Sequence, residues 1–135
     1  MSPKQTNVQL PFELAPGAQQ TAVNNGNCVS NIVAIAVAPV APAIFSGAIL
    51  KRADNSLVTA ANPAQAGDVL VVYLTGMGQT TLALATGRLV DPARMFSTVP
   101  ATATVGGKDA EVPSSTAAPG FPGVYQVALR VPAGA

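Results

Sequence analysis

The residues that could perform catalysis are few and poorly placed for it. The sequence has no histidine, so the commonest general base and metal ligand is absent. Six carboxylates are scattered along 135 residues, and Asp109 and Glu111 form the one close pair. In a strand, this spacing puts both carboxylates on one face, but no third oxygen-rich segment adjoins them to complete a calcium or acid-base site. We interpret the pair as a solvated face.

Two other motifs partly resemble functional sites, a phosphate-binding loop and a Ser-Lys catalytic pair, but each lacks residues that such a site requires. The loop Gly76 to Thr80 has the glycines of a phosphate-binding loop but lacks the Gly-Lys-Ser/Thr and the helix that should follow. Ser46 or Ser56 could pair with Lys51, yet Lys51 adjoins Arg52 in a polar stretch and nothing marks an oxyanion site. The sequence therefore predicts no catalytic, metal-binding or cofactor-binding residue, and we expect the protein not to be an enzyme.

The composition also excludes some classes of binding partner. Seven basic and six acidic residues give a net charge of +1, and no basic cluster exceeds two residues, so we expect no nucleic-acid binding. The uncharged run Ile32 to Leu50 contains Pro39 and Pro42, which would break a membrane-spanning helix. We expect no membrane span. The single Cys28 is interpreted as a small buried residue in a strand.

The first residues have neither the basic nor the apolar region of a signal peptide. We expect the chain to be a mature segment or an excised piece. Its length fits a single hydrophobic core.

Twelve Gly and twelve Pro punctuate short β-branched runs, which predicts about seven or more strands and almost no helix. The clearest alternation runs from Asn7 to Leu14, where one face carries Val8, Leu10, Phe12 and Leu14. Pro11 cannot donate a ladder hydrogen bond, so this strand is predicted at a sheet edge. Its apolar face makes these four residues the candidate assembly strand.

Further strands are predicted from composition and turn signals. Ile32 to Val37 is apolar on both faces, so its strand is predicted to be central. Val69 to Thr75 is the densest β-forming run and is predicted to be buried. The predicted elements are hairpins at 19–37, 48–60 and 102–112, a strand at 69–75, a Pro/Gly loop at 113–123 and a last strand at 123–131.

One strand pattern occurs twice. Gln5 to Pro11 and Gln126 to Pro132 both read Gln, two residues, apolar, long polar, apolar, Pro. Short patterns recur by chance, so the duplication is a modest signal of repetition.

Several segments in the same order resemble a known family. They are Gln5 to Gly17, Val37 to Phe45, Asn62 to Ala64, Tyr73 to Gly78, Val105 to Gly107 and Ala118 to Pro132. They are spread over nearly the whole chain, which resembles the Solibacter-type C-terminal domain of large secreted proteins of Acidobacteria.

That resemblance implies immunoglobulin-like repeats of the IPT/TIG kind, and hence an all-β sandwich outside the cell. It implies that residues 1–43 are the closing strands of one unit and its linker, and that residues 44–135 open the next unit. Each part would then lack its usual neighbour, whether the chain closes as one compact domain or exchanges strands with another chain.

Two functions follow as expectations. The first is a non-catalytic extracellular structural module that pairs with itself, or with neighbouring repeats, and assembles head to tail into a filament by strand complementation. The second is a cell-surface module that binds a glycan or protein through its loops at 75–81 and 113–123. Phe121 and Tyr125 would line such a site, although so few aromatic residues count against a sugar platform.

Overall fold

A computed structural model describes residues 6–135, and these residues form seven strands and no helix. The strands are β1 (Gly17–Thr21), β2 (Val33–Val37), β3 (Ala43–Lys51), β4 (Val69–Thr75), β5 (Ala103–Val105), β6 (Lys108–Ala117) and β7 (Tyr125–Arg130). The prediction of an all-β chain of short strands is confirmed.

Five strands form the main sheet, in the antiparallel order β3-β4-β7-β6-β5. β4 lies between β3 and β7, and its residues alternate between half-buried and buried. The prediction of a strand over 69–75 is confirmed. Leu70, Val72 and Leu74 face the core, whereas Val71 is half-buried on the other face. The run predicted to be buried is thus fully buried on one face only.

The core lies against one face of this sheet. In register with the buried residues of β4, β7 contributes Leu129, Val127 and Tyr125. The long segment between β4 and β5 covers this face with the buried side chains of Met77, Leu84, Val90 and Phe96. One sheet face is thus buried under irregular chain, and the alternate residues on the opposite face are mostly half-buried.

The predicted hairpins near the main sheet are present. Gly106 and Gly107 turn β5 into β6, both with positive φ, which glycine adopts without strain. Residues 56–58 return beside the end of β3, where the Val58 amide donates to the Ile49 carbonyl at 2.9 Å. β6 runs on through Pro113, where a loop was expected. A register shift between Glu111 and Ser114 accommodates the proline.

β1 and β2 form a separate two-stranded sheet. The predicted hairpin is present, but β2 is not a central strand, because it pairs with β1 alone in the described chain. Cys28 is also misplaced by the sequence prediction. It lies exposed in the connection between the strands, where it has no core to enter.

Residues 6–16 form no strand, contrary to the pattern from Asn7 to Leu14. The chain turns at Pro11, whose carbonyl accepts a hydrogen bond from the Leu14 amide at 3.2 Å. The strand predicted from this alternation is therefore wrong, because none of the described strands pairs with residues 8–14. No helix among residues 6–135 is long and apolar enough to cross a membrane.

Candidate assembly surface

The hairpin of β1 and β2 projects as an arm, defined here as residues 15–38. Neither strand packs extensively on the main sheet. From Leu14 to Leu50 the sequence has no charged residue. Several aliphatic side chains of the arm are largely exposed, namely Val23, Val29, Ile32 and Val33. A charge-free hairpin that exposes this many apolar groups has the character of an interaction surface.

Side chains hold the arm in its hairpin shape at the tip. The Asn24 Oδ1 accepts from the Gly26 amide at 2.8 Å, and the Asn25 Oδ1 accepts from the Cys28 amide at 2.8 Å. Lower down, the Val23 amide donates to the Ser30 hydroxyl at 2.9 Å. These polar residues satisfy the turn backbone locally, so the hairpin depends little on the rest of the chain for its turn.

The segment before the arm is fixed to the main body. The Phe12 amide donates to Thr86 Oγ1 at 3.0 Å, and that hydroxyl donates to Glu13 at 2.8 Å. The Gly87 amide donates to Gln9 Oε1 at 3.0 Å. Phe12 also packs on the core cluster under β4 and β7. Of the four predicted assembly residues, Phe12 is therefore an anchor of this chain.

The other three predicted assembly residues do not share its role. Val8 is 72% exposed, Leu10 is 45% exposed and Leu14 is half-buried. The structure therefore does not bring the four side chains together as one strand face. Whether residues 7–14 pair with another chain stays a prediction.

The segment after the arm is fixed at a second point, the linker of residues 38–42. The Ala41 amide donates to the Gly76 carbonyl at 2.8 Å. A Cβ on Gly76 would overlap the Ala41 carbonyl, and one on Gly78 would lie 2.5 Å from the Pro39 oxygen. Both glycines have positive φ. The glycines of the Gly-Met-Gly motif thus let the linker pack closely against residues 76–78. This contact gives a structural reason for the glycines that suggested a phosphate-binding loop.

The duplicated strand pattern has different surroundings in its two copies. In the second copy, Leu129 and Val131 are 8% and 5% exposed within the core. The corresponding residues of the first copy are Val8 and Leu10, which are exposed; Gln5 lies outside the described residues. The same pattern is buried where it pairs with β4 and β6 and exposed where it precedes the arm.

The residues considered for chemistry have structural partners. Glu111 accepts from Arg130 Nε at 3.1 Å on an exposed face, and Asp109 is exposed beside it on β6. Lys51 lies 3.7 Å from Asp68, with which it forms an ion pair. In the described residues, no group of three His, Cys, Asp or Glu side chains is arranged to hold a metal ion.

Ser56 forms hydrogen bonds within a turn and does not have the surroundings of a nucleophile. Its backbone amide donates to Asp54 Oδ1 at 2.9 Å, and its hydroxyl accepts from Asn62 at 2.9 Å. Hydrogen bonds from Ser56 lower the pKa of Asp54, and the bond to the Ser56 side chain has a larger effect than the bond to its backbone. Hydrogen bonding to the charged form explains this direction. The arrangement is that of a capped turn.

The two residues predicted to line a binding loop are separated by burial. Phe121 is 61% exposed, but Tyr125 is 3% exposed and belongs to the core. The Tyr125 hydroxyl donates to the Gly78 carbonyl, and burial raises its pKa. Tyr125 therefore has too little accessible surface to form an aromatic site together with Phe121.

Surface depressions on the main body include two of similar size. One of about 300 Å³ lies over the outer sheet face and is lined by residues including Leu50, Val71 and Tyr73. The other, of about 280 Å³, lies between β6 and the segment 95–101. Neither holds a convergent set of ionisable groups.

No family model matches this chain, and no curated protein or solved structure shows significant similarity to it.

Proposed function

We propose that the chain is a non-catalytic extracellular structural module that assembles head to tail with copies of itself by β-strand complementation. The observation that carries this proposal is the charge-free arm, whose two strands pack mainly on each other and several of whose aliphatic side chains are largely exposed. An isolated two-stranded hairpin is marginally stable in water, so a further strand or sheet should cover it. The resemblance to tandem immunoglobulin-like repeats supports the same reading.

Assembly would bury side chains that the single chain leaves in water. Val33 is 56% exposed, and its burial would contribute about 1 kcal/mol to association. Val33→Ser should therefore raise the dissociation constant by about 5-fold. Leu89, on the main body, is comparably exposed at 66%. Leu89→Ser is thus a matched control that should leave association unchanged.

The test is sedimentation velocity over a wide concentration range, with electron microscopy of the concentrated sample. Interference optics suit a chain with no Trp and two Tyr. Larger species that grow with concentration and are reduced by Val33→Ser support the proposal. A monomer at high concentration with no fibres, or equal effects of the two substitutions, refutes it.

The second candidate function is a binding module that uses the loop around Phe121. The exposed Phe121 ring favours it, since exposed aromatic rings are common at binding sites. A glycan array with the parent chain and Phe121→Ala tests it directly. Binding that the substitution abolishes, in a chain that stays monomeric, would favour this function over assembly.

A further inference from the structure

We propose that β1 of one copy adds to the free edge of β5 in a second copy, so that each arm extends the five-stranded sheet of the next molecule. This inference rests on the proposed function, because it names the donor strand and the acceptor edge of that assembly. It differs from donation by residues 7–14, which the sequence predicts. In the structure, part of that segment is fixed to its own main body.

The edge of β5 is suited to accept a strand. β5 ends the order of the main sheet and pairs with β6 alone among the described residues. Ala103 and Val105 pack on the core cluster of Leu70, Val72, Leu129 and Val131, whereas Thr104 is exposed. A strand added here would continue the buried layer on one face and the solvated layer on the other.

The opposite edge of the sheet is less suitable. On β3, the register shifts between Ile44 and Ile49, and Gly47 has a positive φ within this bulge. Bulges interrupt the regular ladder that strand addition requires. Beyond Ile49, residues 56–58 already occupy the outer side of β3. The β5 edge is the more regular and less covered of the two.

The arm can extend both layers of this sheet. Val33, Ile35 and Val37 share one face of β2, opposite Thr21, Gln19 and Gly17 of β1. Turned toward the core, this face would place Gly17, Gln19 and Thr21 beside Ala103 and Val105, and the apolar side chains of β2 would continue that layer one strand further out. Ala18 and Gln20 would then lie on the solvated face with Thr104. The donor arm is uncharged, and so are the three residues of β5, so no buried charge opposes the contact.

The arrangement also explains head-to-tail growth. The donor hairpin and the β5 edge belong to different parts of the molecule, so the contact is heterologous. A heterologous contact that does not close into a ring produces an open filament. Each added copy would bring one arm and one free β5 edge.

Disulfide cross-linking between two different chains tests the acceptor. In a Cys28→Ser background, the donor chain carries Ala18→Cys or Gln20→Cys, and the ¹⁵N-labelled acceptor chain carries Thr104→Cys. A second acceptor carries Ser46→Cys at the β3 edge. Directly opposed residues on neighbouring strands have Cβ atoms about 5 Å apart, within disulfide reach. When the chains are mixed under mild oxidation, the acceptor with Thr104→Cys should form disulfide-linked dimers with the donor, and the acceptor with Ser46→Cys should not. Mass spectrometry detects the dimers.

The outcomes separate this inference from the proposed function. Cross-linking at Ser46→Cys instead of Thr104→Cys, or at neither position in a chain that still assembles by sedimentation, overturns the β5 acceptor alone. A parent chain that does not assemble overturns both proposals. As an independent measurement, Thr104→Lys should abolish fibres, whereas Asp109→Lys, at the paired position on β6, should not. Fibres that persist in Thr104→Lys contradict the inference.

Discussion

Replacing Gly76 with alanine measures how firmly the linker holds the arm. Gly76 has φ +77°, and the control Gly87 has φ +73°. Alanine in this left-handed region costs about 1–2 kcal/mol at either site. At Gly87 the new Cβ meets nothing within 4 Å, whereas at Gly76 it overlaps the Ala41 carbonyl. The linker must move away and lose the hydrogen bond from Ala41 to Gly76, which adds about 1 kcal/mol.

We therefore expect Gly76→Ala to destabilise the fold by about 2–4 kcal/mol and Gly87→Ala by about 1–2 kcal/mol. The measurement is urea unfolding followed by far-ultraviolet circular dichroism, at a concentration where the parent chain is monomeric. The difference between the two variants isolates the linker contact from the shared backbone strain. Equal losses at the two glycines would refute the close approach of the linker to Gly76.

Other substitutions test the core and its polar contacts. Val72→Asp should abolish the cooperative thermal transition, because it puts a charge into the core, whereas Val71→Asp on the outer face should retain it. Tyr125→Phe should cost about 1–2 kcal/mol in urea unfolding, because the Gly78 carbonyl loses its donor. Burial raises the pKa of Tyr125. Its contribution to the free energy of unfolding should therefore be fully present below pH about 10 and lost as the pH rises through the raised pKa. In Tyr125→Phe, this pH-dependent loss of stability should be smaller. Glu111→Gln should change stability by less than about 1 kcal/mol, since its ion pair is exposed; a larger loss would show that the pair is not solvated.

The sequence predicted the elements whose causes are local. β4 is a run of β-branched and aliphatic residues between glycines, and this composition favours a buried strand wherever the run lies. The β5–β6 hairpin follows from two glycines that adopt positive φ. β7 alternates, and its apolar face is buried as expected. Propensity and turn chemistry suffice for such elements.

The errors concern pairing, which depends on residues far along the chain. Residues 7–14 alternate as well as β7 does, but their backbone is not paired in a sheet, so the pattern alone produced no strand. β2 has the apolar composition of a central strand, yet pairs only with β1. Cys28 is exposed at the tip of this hairpin, because the hairpin does not join the main sheet. An apolar pattern predicts which residues favour burial, and cannot specify which chain buries them.

The anchored arm bears on how its apolar surface becomes covered. One solution is for the arm to close on its own main sheet, and the other is for it to enter a second copy. Closing on the same chain requires release of the contacts that hold the arm on both sides, at Phe12 and at Ala41. Docking to a second copy leaves those contacts intact. The arm is also shaped in advance by the hydrogen bonds at its tip, so little ordering opposes association. The anchors therefore support the proposed exchange between copies over closure within one.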